Sequence, residues 1–269
     1  NGKIFSSFGE RLEFNIENKF PLLTTKRMFW KGIVGELVWF LNANTNAKEL
    51  KEMGVGIWDG NSTREYLDSI GLTEYEEGDC GPIYGFQWRN FNGTYKGAGW
   101  DKGAEYVKKG DGFDQLGEVL RLIRTQPNSR RIFMSGWNPT QMPKMALPPC
   151  HVSYQFYVQD GKLSCQMYQR SGDMFLGVPF NIASTALLTY IIAHLTDLIP
   201  HKIILVIGDA HIYEEHIDAV KKQIVRTPTE FCQLEISNKE AKTPEDFKPT
   251  DFLLFGYKYQ GRIAAKMVV

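Results

Sequence analysis

The chain has 269 residues, and its 31 lysine and arginine residues balance its 31 aspartate and glutamate residues. This neutrality argues against a nucleic-acid-binding or membrane-surface protein that depends on net charge, so any bound anion must be held by local charge. The four cysteines show neither CxxC nor Cys/His metal-ligand spacing. The sequence therefore predicts no metal site and fits a reducing, cytoplasmic compartment.

Hydrophobic patterns and turn signals predict a succession of helices and strands along the whole chain. In chain order these are a nearly all-apolar helix over 27–41, a short helix from Asn46 to Gly54, an amphipathic helix over 114–125, strands over 152–158 and 162–169, a core helix over 181–195, a strand over 202–207, a helix over 214–225, and strands over 232–236 and 252–257. Asp160 and Gly161 form a two-residue hairpin signal between the first two strands. The stretch 92–112, rich in Gly, Lys and Tyr, is predicted to be a surface loop.

No repeat or long linker interrupts this order, so we predict a single domain over residues 1–269. Hairpins mixed among helices favour an α+β fold with a mixed β-sheet packed by helices. There is no GxGxxG after a strand and no P-loop lysine, so nucleotide phosphates must be bound by side chains. The most apolar runs, 32–41 and 182–193, are too short or too interrupted to span a bilayer. We expect both to be core helices, with no membrane partner.

Cys150 is a candidate nucleophile. It follows Pro148 and Pro149, which stiffen the approach to a predicted strand and donate no backbone hydrogen bond. The alternative is a small buried hydrophobic residue, which is the commoner role of a lone intracellular cysteine. Neighbours in a strand point to opposite faces, so His151 is not expected to be the base for Cys150.

Positive charge is predicted near this cysteine. Arg130 and Arg131 precede one strand, and Arg170 and Ser171 end another, so these groups can converge at strand ends. A guanidinium cluster binds a phosphate and lowers the pKa of a nearby thiol. For any single arginine, an ordinary surface salt bridge remains the alternative.

Glu36 is the one charged residue in the apolar run 32–41. On a buried helix its carboxyl group must be hydrogen-bonded, line a cavity or be protonated. A carboxyl group with a raised pKa is a natural proton carrier. The alternative is a structural partner for a buried polar group.

Further candidates are polar or aromatic residues near the ends of predicted elements. Asn181 begins the core helix, where it either caps the helix or reads a pyrimidine edge with its amide. His211 and Tyr213 share one face if the chain stays extended, and they suit either a sugar hydroxyl or a core pair. Trp58 is either a core residue or a platform for a flat heterocycle.

Several separated strings resemble those of thymidylate synthases in order and spacing. They are Phe20 to Arg27, Gly81 to Arg89, Leu147 to His151, Tyr168 to Ser171, Gly177 to Ser184 and Gly208 to Tyr213. The resemblance implies that family's fold, in which one face of the sheet forms the dimer interface. It also implies reductive methylation of dUMP to dTMP, with 5,10-methylenetetrahydrofolate consumed as a cosubstrate and dihydrofolate released.

The resemblance implies residue roles as well. The catalytic residues would be Cys150, Glu36, Tyr84, Asp173 and Arg130. The residues that bind dUMP would be Arg130, Arg131, Gln169, Arg170, Ser171, Asp173, Asn181, His211 and Tyr213. The residues that bind the folate would be Ile57, Trp58, Asn61, Asp173, Leu176, Gly177, Phe180 and Val269. Arg130 and Arg131 would act across a homodimer, and a fusion to dihydrofolate reductase in a longer parent chain would fit the family.

Two departures from the family pattern stand out. No arginine precedes Arg11, although the family usually carries a phosphate-binding arginine ahead of the first strand. The segment from Tyr257 to Ile263 lacks the proline and histidine that are usual near the closing C-terminal segment. The alternatives are a dUMP hydroxymethylase, in which water rather than hydride completes the reaction, and a nucleic-acid-binding regulator that retains the fold.

Overall fold

A mixed β-sheet lies at the centre of the protein. The computed structural model describes residues 3–99 and 103–267. Within these ranges the sheet has five strands, which are β1 (Ile4–Asn15), β2 (Phe133–Ser135), β3 (His151–Gln159), β4 (Lys162–Asp173) and β5 (Ile199–Tyr213). Their order is β1-β5-β4-β3-β2, and β4 and β5 are parallel while the other neighbours are antiparallel. The predicted mixed sheet is therefore confirmed.

Helices pack this sheet and build the layer beside it. They are α1 (Trp30–Leu41), α2 (Ala47–Glu52), α3 (Arg64–Ser69), α4 (Tyr84–Arg89), α5 (Gly103–Lys109), α6 (Gln115–Thr125), α7 (Gly177–Leu195) and α8 (Ile217–Ile224). The long helix α7 contacts β4, β5 and α1, and α1 in turn contacts α4. Sheet and helices share one large buried hydrophobic cluster, as the predicted α+β fold requires.

Helix α7 is the hydrophobic centre of this cluster. It has 19 residues, and among the described helices it is the one with the length and composition to cross a bilayer. The prediction that this run is too short is therefore wrong, because the helix begins at Gly177. Its apolar stretch is 83% buried within the protein, so the prediction of a core helix is confirmed. Asn181 lies inside the helix, so the alternative that it is the N-cap is wrong.

The other predicted helices have identifiable beginnings. Helix α1 starts at Trp30, three residues later than predicted. The side chain of Asn46 caps α2 by accepting a hydrogen bond from the Lys48 amide, and Asp114 caps α6 by accepting from the Gly117 amide. The predicted apolar face of α6 is buried and comprises Leu116, Val119, Leu120 and Ile123.

The hairpin between β3 and β4 is confirmed. Asp160 and Gly161 have φ values of 51° and 71°, the left-handed conformation that a type I′ turn requires at both positions. Strands β4 and β5 run past their predicted ends, because they pair with each other as far as Asp173 and His211. Arg170 and Ser171 therefore lie within β4, and the prediction that they end it is wrong.

Two other stretches differ from prediction. The stretch 92–112 contains α5, so a structureless loop is wrong over 103–109. The two ends of this stretch are joined by hydrogen bonds. The amide and the hydroxyl of Thr94 each donate to the Asp111 carboxylate at 2.7 Å. The helix predicted over 214–225 begins as a 3₁₀ turn, Glu214–His216, and continues as α8.

Short elements account for the remaining differences. The last strands, β6 (Gln233–Ile236) and β7 (Phe252–Phe255), form a separate antiparallel pair and are shorter than predicted. The sequence analysis assigned no element to β1, α3 or α4. All three lack a long run of helical or alternating periodicity.

Aromatic side chains are exposed on the sheet. Tyr157 of β3 and Tyr168 of β4 are 61% and 39% exposed, on the side away from their buried neighbours. Strand β1 adds Phe5 and Phe8, which are 61% and 86% exposed. The register of β3 and β4 puts Tyr157 and Tyr168 on the same face of the sheet, and large exposed side chains on one face mark an interaction surface.

Candidate active site

Cys150 lies at the start of β3, beside an arginine held by two prolines. The guanidinium of Arg170 donates from Nε to the Pro149 carbonyl and from Nη2 to the Pro148 carbonyl, both at 3.0 Å. Its Nη2 lies 3.8 Å from Cys150 Sγ, and its Cζ lies 5.8 Å from the centre of the Trp137 ring. The two prolines therefore orient the charge that faces the thiol.

Burial and charge act in opposite directions on this thiol. Burial raises the pKa of Cys150, while Arg170 and the hydrogen bond with Tyr84 lower it in part. The net direction is upward within one chain, so the predicted lowering of the thiol pKa by an arginine cluster is wrong for the single chain.

Arg130 and Arg131 do not join Arg170 in one chain. Both are exposed and lie beside the far end of β3, where the Phe156 amide donates to the Ile132 carbonyl. Cys150 is six residues from Phe156, or about 20 Å along an extended strand. The expectation that all three guanidinium groups converge at one edge is therefore wrong within a subunit, because β3 separates them along its length.

Glu36 and Tyr84 lie on the helical side of the site. Trp58 Nε1 donates to Glu36 Oε1 at 2.8 Å, and burial raises the pKa of Glu36 to about 7 despite this hydrogen bond. The predicted direction of the Glu36 shift is confirmed. Tyr84 begins α4, stacks on Phe40 with ring centres 4.8 Å apart, and accepts a 2.8 Å hydrogen bond from the Cys150 amide. Burial raises the pKa of Tyr84 well above its ordinary value, so its hydroxyl stays protonated.

Two amide side chains face each other between β4 and α7. Gln169 is 2% exposed, and its Nε2 donates at 2.9 Å to Asn181 Oδ1 and to the Ser171 carbonyl. This bond fixes the Asn181 oxygen toward Gln169. Within the described residues Gln169 Oε1 has no hydrogen-bond partner, although it is fully buried. The pair therefore offers an amide edge with unused hydrogen-bonding capacity.

His151 is buried beside these amides. Its Nδ1 lies 3.1 Å from the Tyr154 hydroxyl, and burial lowers the pKa of His151 to about 4. The imidazole is therefore neutral near pH 7. A ring nitrogen with so low a pKa is a weak base near neutral pH.

Strands β4 and β5 bring Asp173, His211 and Tyr213 together. Asp173 pairs with His211 across the two strands, and its Oδ1 accepts from the amides of Phe175 and Leu176. His211 and Tyr213 share one face, with ring centres 5.0 Å apart, as predicted. Burial raises the pKa of Tyr213, and the charges of Asp173 and Cys150 add to the rise.

A cavity of about 830 Å³ adjoins the start of α7. Leu176 and Phe180 line it, together with Lys26, Arg27, Lys31 and Arg262. Lys26 is buried, lies 3.8 Å above the Phe175 ring and donates to the Phe175 carbonyl. Burial lowers the pKa of Lys26 to about 8. The cavity lining thus combines apolar side chains with several lysine and arginine side chains.

The remaining predicted folate residues fall into two groups. Trp58 is buried and touches Glu36, while Ile57 and Asn61 are partly exposed beside it. A side chain at Gly177 would lie 3.7 Å from both Asn181 Oδ1 and Asp173 Cβ, so this glycine is close to the amide pair. Val269 lies outside the described residues. No cluster of three or more metal-ligating groups occurs among residues 3–99 and 103–267.

Some residues of the site were missed by the sequence analysis. The carbonyl groups of Pro148 and Pro149 hold Arg170, and the prolines had been considered only for the hydrogen bonds that they cannot donate. Trp137 carried no local signal, and Lys26 lay in the string Phe20 to Arg27 without a role of its own. The fold brings Trp137 to Arg170 and Lys26 to Phe175. His216, fully buried behind Asp173, was likewise missed.

Comparison with known proteins agrees with this geometry. A family model described as thymidylate synthase matches residues 1–269. The chain is 53% identical to thymidylate synthase of Homo sapiens over 98% of this chain and 82% of that protein. It is 52% identical to thymidylate synthase of Herpesvirus ateles over 98% of this chain and 89% of that protein. It is 54% identical to bifunctional dihydrofolate reductase-thymidylate synthase 1 of Arabidopsis thaliana over 98% of this chain, and spans about half (50%) of that relative's length.

Proposed function

Because the chain belongs to the thymidylate synthase family, we propose that it converts dUMP and 5,10-methylenetetrahydrofolate into dTMP and dihydrofolate. The observation that carries this proposal is the thiol of Cys150, which faces the Arg170 guanidinium at 3.8 Å and lies between the Tyr84 hydroxyl and the strand that carries Gln169. One thiol, one fixed cation and one amide edge are what covalent addition to a uracil nucleotide requires.

Nucleophilic addition begins the reaction. The Cys150 thiolate forms a bond to C6 of the uracil, and the displaced electron pair makes C5 nucleophilic. C5 then attacks the methylene carbon of the folate. Loss of the C5 proton and departure of tetrahydrofolate leave an exocyclic methylene, which a hydride from tetrahydrofolate reduces as the thiolate leaves. The folate thereby becomes dihydrofolate, and the thiol is regenerated.

Side chains from β4, β5 and α7 bind the three parts of the nucleotide: the base, the ribose and the phosphate. Asn181 hydrogen-bonds the uracil edge, with Gln169 fixing the direction of its oxygen. His211 and Tyr213 hold the ribose hydroxyl from their shared face of β5. Ser171 and Arg170 bind the phosphate, and the Arg170 guanidinium forms charge-assisted hydrogen bonds with it.

Glu36 and Tyr84 take part in the proton transfers of the reaction. With a pKa of about 7, Glu36 exchanges a proton readily near neutral pH and organises transfer to the uracil carbonyl through water. The protonated Tyr84 hydroxyl, hydrogen-bonded to the Cys150 amide, assists loss of the C5 proton. Trp58 holds Glu36 in place through its indole N–H.

The folate lies across the start of α7. Ile57, Trp58, Asn61, Leu176, Gly177 and Phe180 contact its rings, and Asp173 and Val269 also belong to the proposed folate-binding set. The cationic rim of the 830 Å³ cavity, formed by Arg27, Lys31 and Arg262, suits the carboxylates of the glutamate tail. No metal takes part in this proposal.

The phosphate site is completed by a second subunit. Arg130 and Arg131 are exposed and far from Cys150 in their own chain, so they serve the site of the partner across a homodimer. The exposed side chains Phe5, Tyr157 and Tyr168, which the strand register places on one face of the sheet, form part of that interface. The protein acts in the cytoplasm as one synthase domain over residues 1–269. Plant relatives are named bifunctional dihydrofolate reductase-thymidylate synthases, and such a fusion fits because dihydrofolate reductase consumes the dihydrofolate released here.

Product analysis tests the proposal. The purified protein is incubated with dUMP and methylenetetrahydrofolate, and both the nucleotide and the spent folate are identified. Formation of dTMP and dihydrofolate, lost in Cys150→Ala, supports the synthase. Hydroxymethyl-dUMP with tetrahydrofolate would instead identify a hydroxymethylase, and absence of turnover with retained nucleic-acid binding would favour the regulator.

A further inference from the structure

A buried histidine lies between the carboxylate of Asp173 and the C-terminal segment 257–267, which we call the tail. His216 ends the 3₁₀ turn before α8 and is 0% exposed. Its Nε2 lies 2.8 Å from the Lys266 carbonyl oxygen. Because a carbonyl accepts and cannot donate, Nε2 carries the hydrogen and donates to the tail.

The other side of the same ring faces the substrate site. His216 Nδ1 lies 3.7 Å from Asp173 Oδ1, and within the described residues it has no hydrogen-bond partner. The ring also packs against Phe175 and Tyr213, each with ring centres 5.5 Å away. His216 therefore touches the end of β4, the end of β5 and the tail at once.

The tail has a second attachment nearer its base. The Gln260 amide donates to the Thr24 carbonyl at 2.9 Å, and its side chain donates to the Thr227 carbonyl at 2.8 Å. Arg226 Nη1 donates at 2.6 Å to the carbonyls of Thr25 and Gly261. These bonds hold the segment that lacks the family's usual proline and histidine.

Between the two attachments the tail forms a wall of the cavity. Residues 262–265 line the 830 Å³ cavity that also contains Leu176 and Phe180. A tail released at Lys266 would leave this wall attached only at its base. The position of the wall therefore depends on the His216 bond.

We propose that His216 is a positioning residue that docks the tail segment 262–267 and aligns it with the Asp173 carboxylate. Its Nε2 holds the Lys266 carbonyl, and its ring fixes the spacing between Asp173, Phe175 and Tyr213. The consequence for turnover rests on the proposed function, because Asp173 and the cavity serve the folate there. The docking itself does not depend on that function.

Limited proteolysis measures the docking directly. Trypsin cleaves after Lys266 through the same carbonyl that His216 binds, and intact mass reports the loss of residues 267–269. Loss of this partly buried hydrogen bond should raise the rate of the cut by roughly fivefold in His216→Phe. His216→Gln can place an amide N–H near the Nε2 position and should stay within about twofold of the parent.

Two further variants complete the test. His216→Asn is too short to reach Lys266, so it should behave as His216→Phe does, and it serves if the phenylalanine variant does not fold. His201→Gln, at the opposite end of β5, is the matched control. Equal cutting of all variants would overturn the proposal, as would fast cutting of His216→Gln, since ring packing rather than the Nε2 hydrogen bond would then be responsible.

Kinetics separate this inference from the proposed function. His216→Phe should raise KM for methylenetetrahydrofolate by about fivefold, with a smaller change in KM for dUMP, and His216→Gln should restore the parent value. An unchanged folate KM together with faster trypsin cutting would overturn the alignment with Asp173. No turnover in the parent protein would refute the proposed function and leave the proteolysis result to decide the docking.

Discussion

Arg170 sets the electrostatic environment of Cys150. It is held by carbonyl groups of two prolines that have no backbone hydrogen to donate, so the turn offers acceptors to the guanidinium. Burial raises the pKa of Cys150, and Arg170 is the largest opposing influence. The reactivity of the thiol at neutral pH therefore depends on this one side chain more than on any other in the same chain.

Replacing Arg170 should make the thiol less reactive. In Arg170→Met the lowering influence is lost, so the midpoint of the pH dependence of Cys150 alkylation by iodoacetamide should move to higher pH. Arg121→Met, which removes an exposed partner of Glu118, should leave the midpoint unchanged. A midpoint that stays constant in Arg170→Met would mean that the guanidinium does not act on the thiol.

Glu36 makes the stability of the protein depend on pH. Its folded-state pKa of about 7 lies above the ordinary value of 4.5, because burial disfavours the carboxylate. The associated stability is present below about pH 4.5 and is lost as the pH rises through 7. Glu36→Gln keeps an oxygen acceptor for Trp58 and cannot ionise, so it should gain stability relative to the parent at pH 8, by about 3 kcal/mol at most.

Urea unfolding at pH 5 and pH 8 measures this effect. The stability difference between Glu36→Gln and the parent should grow from the lower to the higher pH, whereas the exposed control Glu230→Gln should show no such growth. The same Glu36 variant should lose turnover by roughly 100-fold to 10,000-fold, because the proposed proton carrier is gone. Equal differences at both pH values would contradict the raised pKa.

At the scale of elements, close approach of α1 and α4 positions Glu36 and Tyr84. A Cβ atom added to Gly85 would lie 2.3 Å from the Phe40 carbonyl oxygen and 2.6 Å from the Phe40 Cα. These are backbone atoms of α1, so a side chain cannot be accommodated without separating the helices. The glycine thereby allows Tyr84 to stack on Phe40 and to reach the Cys150 amide.

Gly85→Ala should therefore weaken both the fold and the site. We expect a loss of about 1–3 kcal/mol in the free energy of unfolding, together with reduced turnover. Gly99→Ala, where an added Cβ meets no atom within 4 Å, is the matched control and should change stability little. Unchanged stability and turnover in Gly85→Ala would show that the two helices are not held in this contact.

Elements with strong local signals were predictable from the sequence, and those fixed by pairing were not. The Asp160-Gly161 turn and the apolar face of α6 carry their own geometry, so both predictions are confirmed. The ends of β4 and β5 depend on their mutual pairing far along the chain, which no local pattern records. For the same reason Cys150, Glu36 and Asn181 were identifiable as candidates, while the Arg170 contacts with Pro148 and Pro149 were not.

At the scale of the whole molecule, the separation of Arg130 and Arg131 from Cys150 leads to a test of the proposed dimer. A Cys150→Ala chain by itself and an Arg130→Ala/Arg131→Ala chain by itself should each be nearly inactive with dUMP and methylenetetrahydrofolate. In a mixed dimer, one site combines an intact cysteine with intact arginines from the other chain. Mixing after reversible dissociation should therefore restore up to about a quarter of the parent activity.

The mixed-dimer experiment has a defined outcome that would contradict the proposed shared site. If the two arginines act within their own subunit, no mixed dimer contains an intact site and activity stays at the level of the separate variants. A control mixture of Cys150→Ala with Cys150→Ser should also remain inactive. Recovery in the first mixture and not in the second would assign the arginines to the partner's phosphate site.

The central claim is that Cys150 bonds covalently to a uracil nucleotide while the folate methylene is transferred. Replacing dUMP by 5-fluoro-dUMP blocks loss of the C5 substituent as a proton, so the adduct should persist. Intact-protein mass spectrometry with methylenetetrahydrofolate should show a species heavier by one nucleotide and one folate, and peptide mapping should place both on Cys150. No adduct, or an adduct on Cys80, Cys165 or Cys232, would contradict the account.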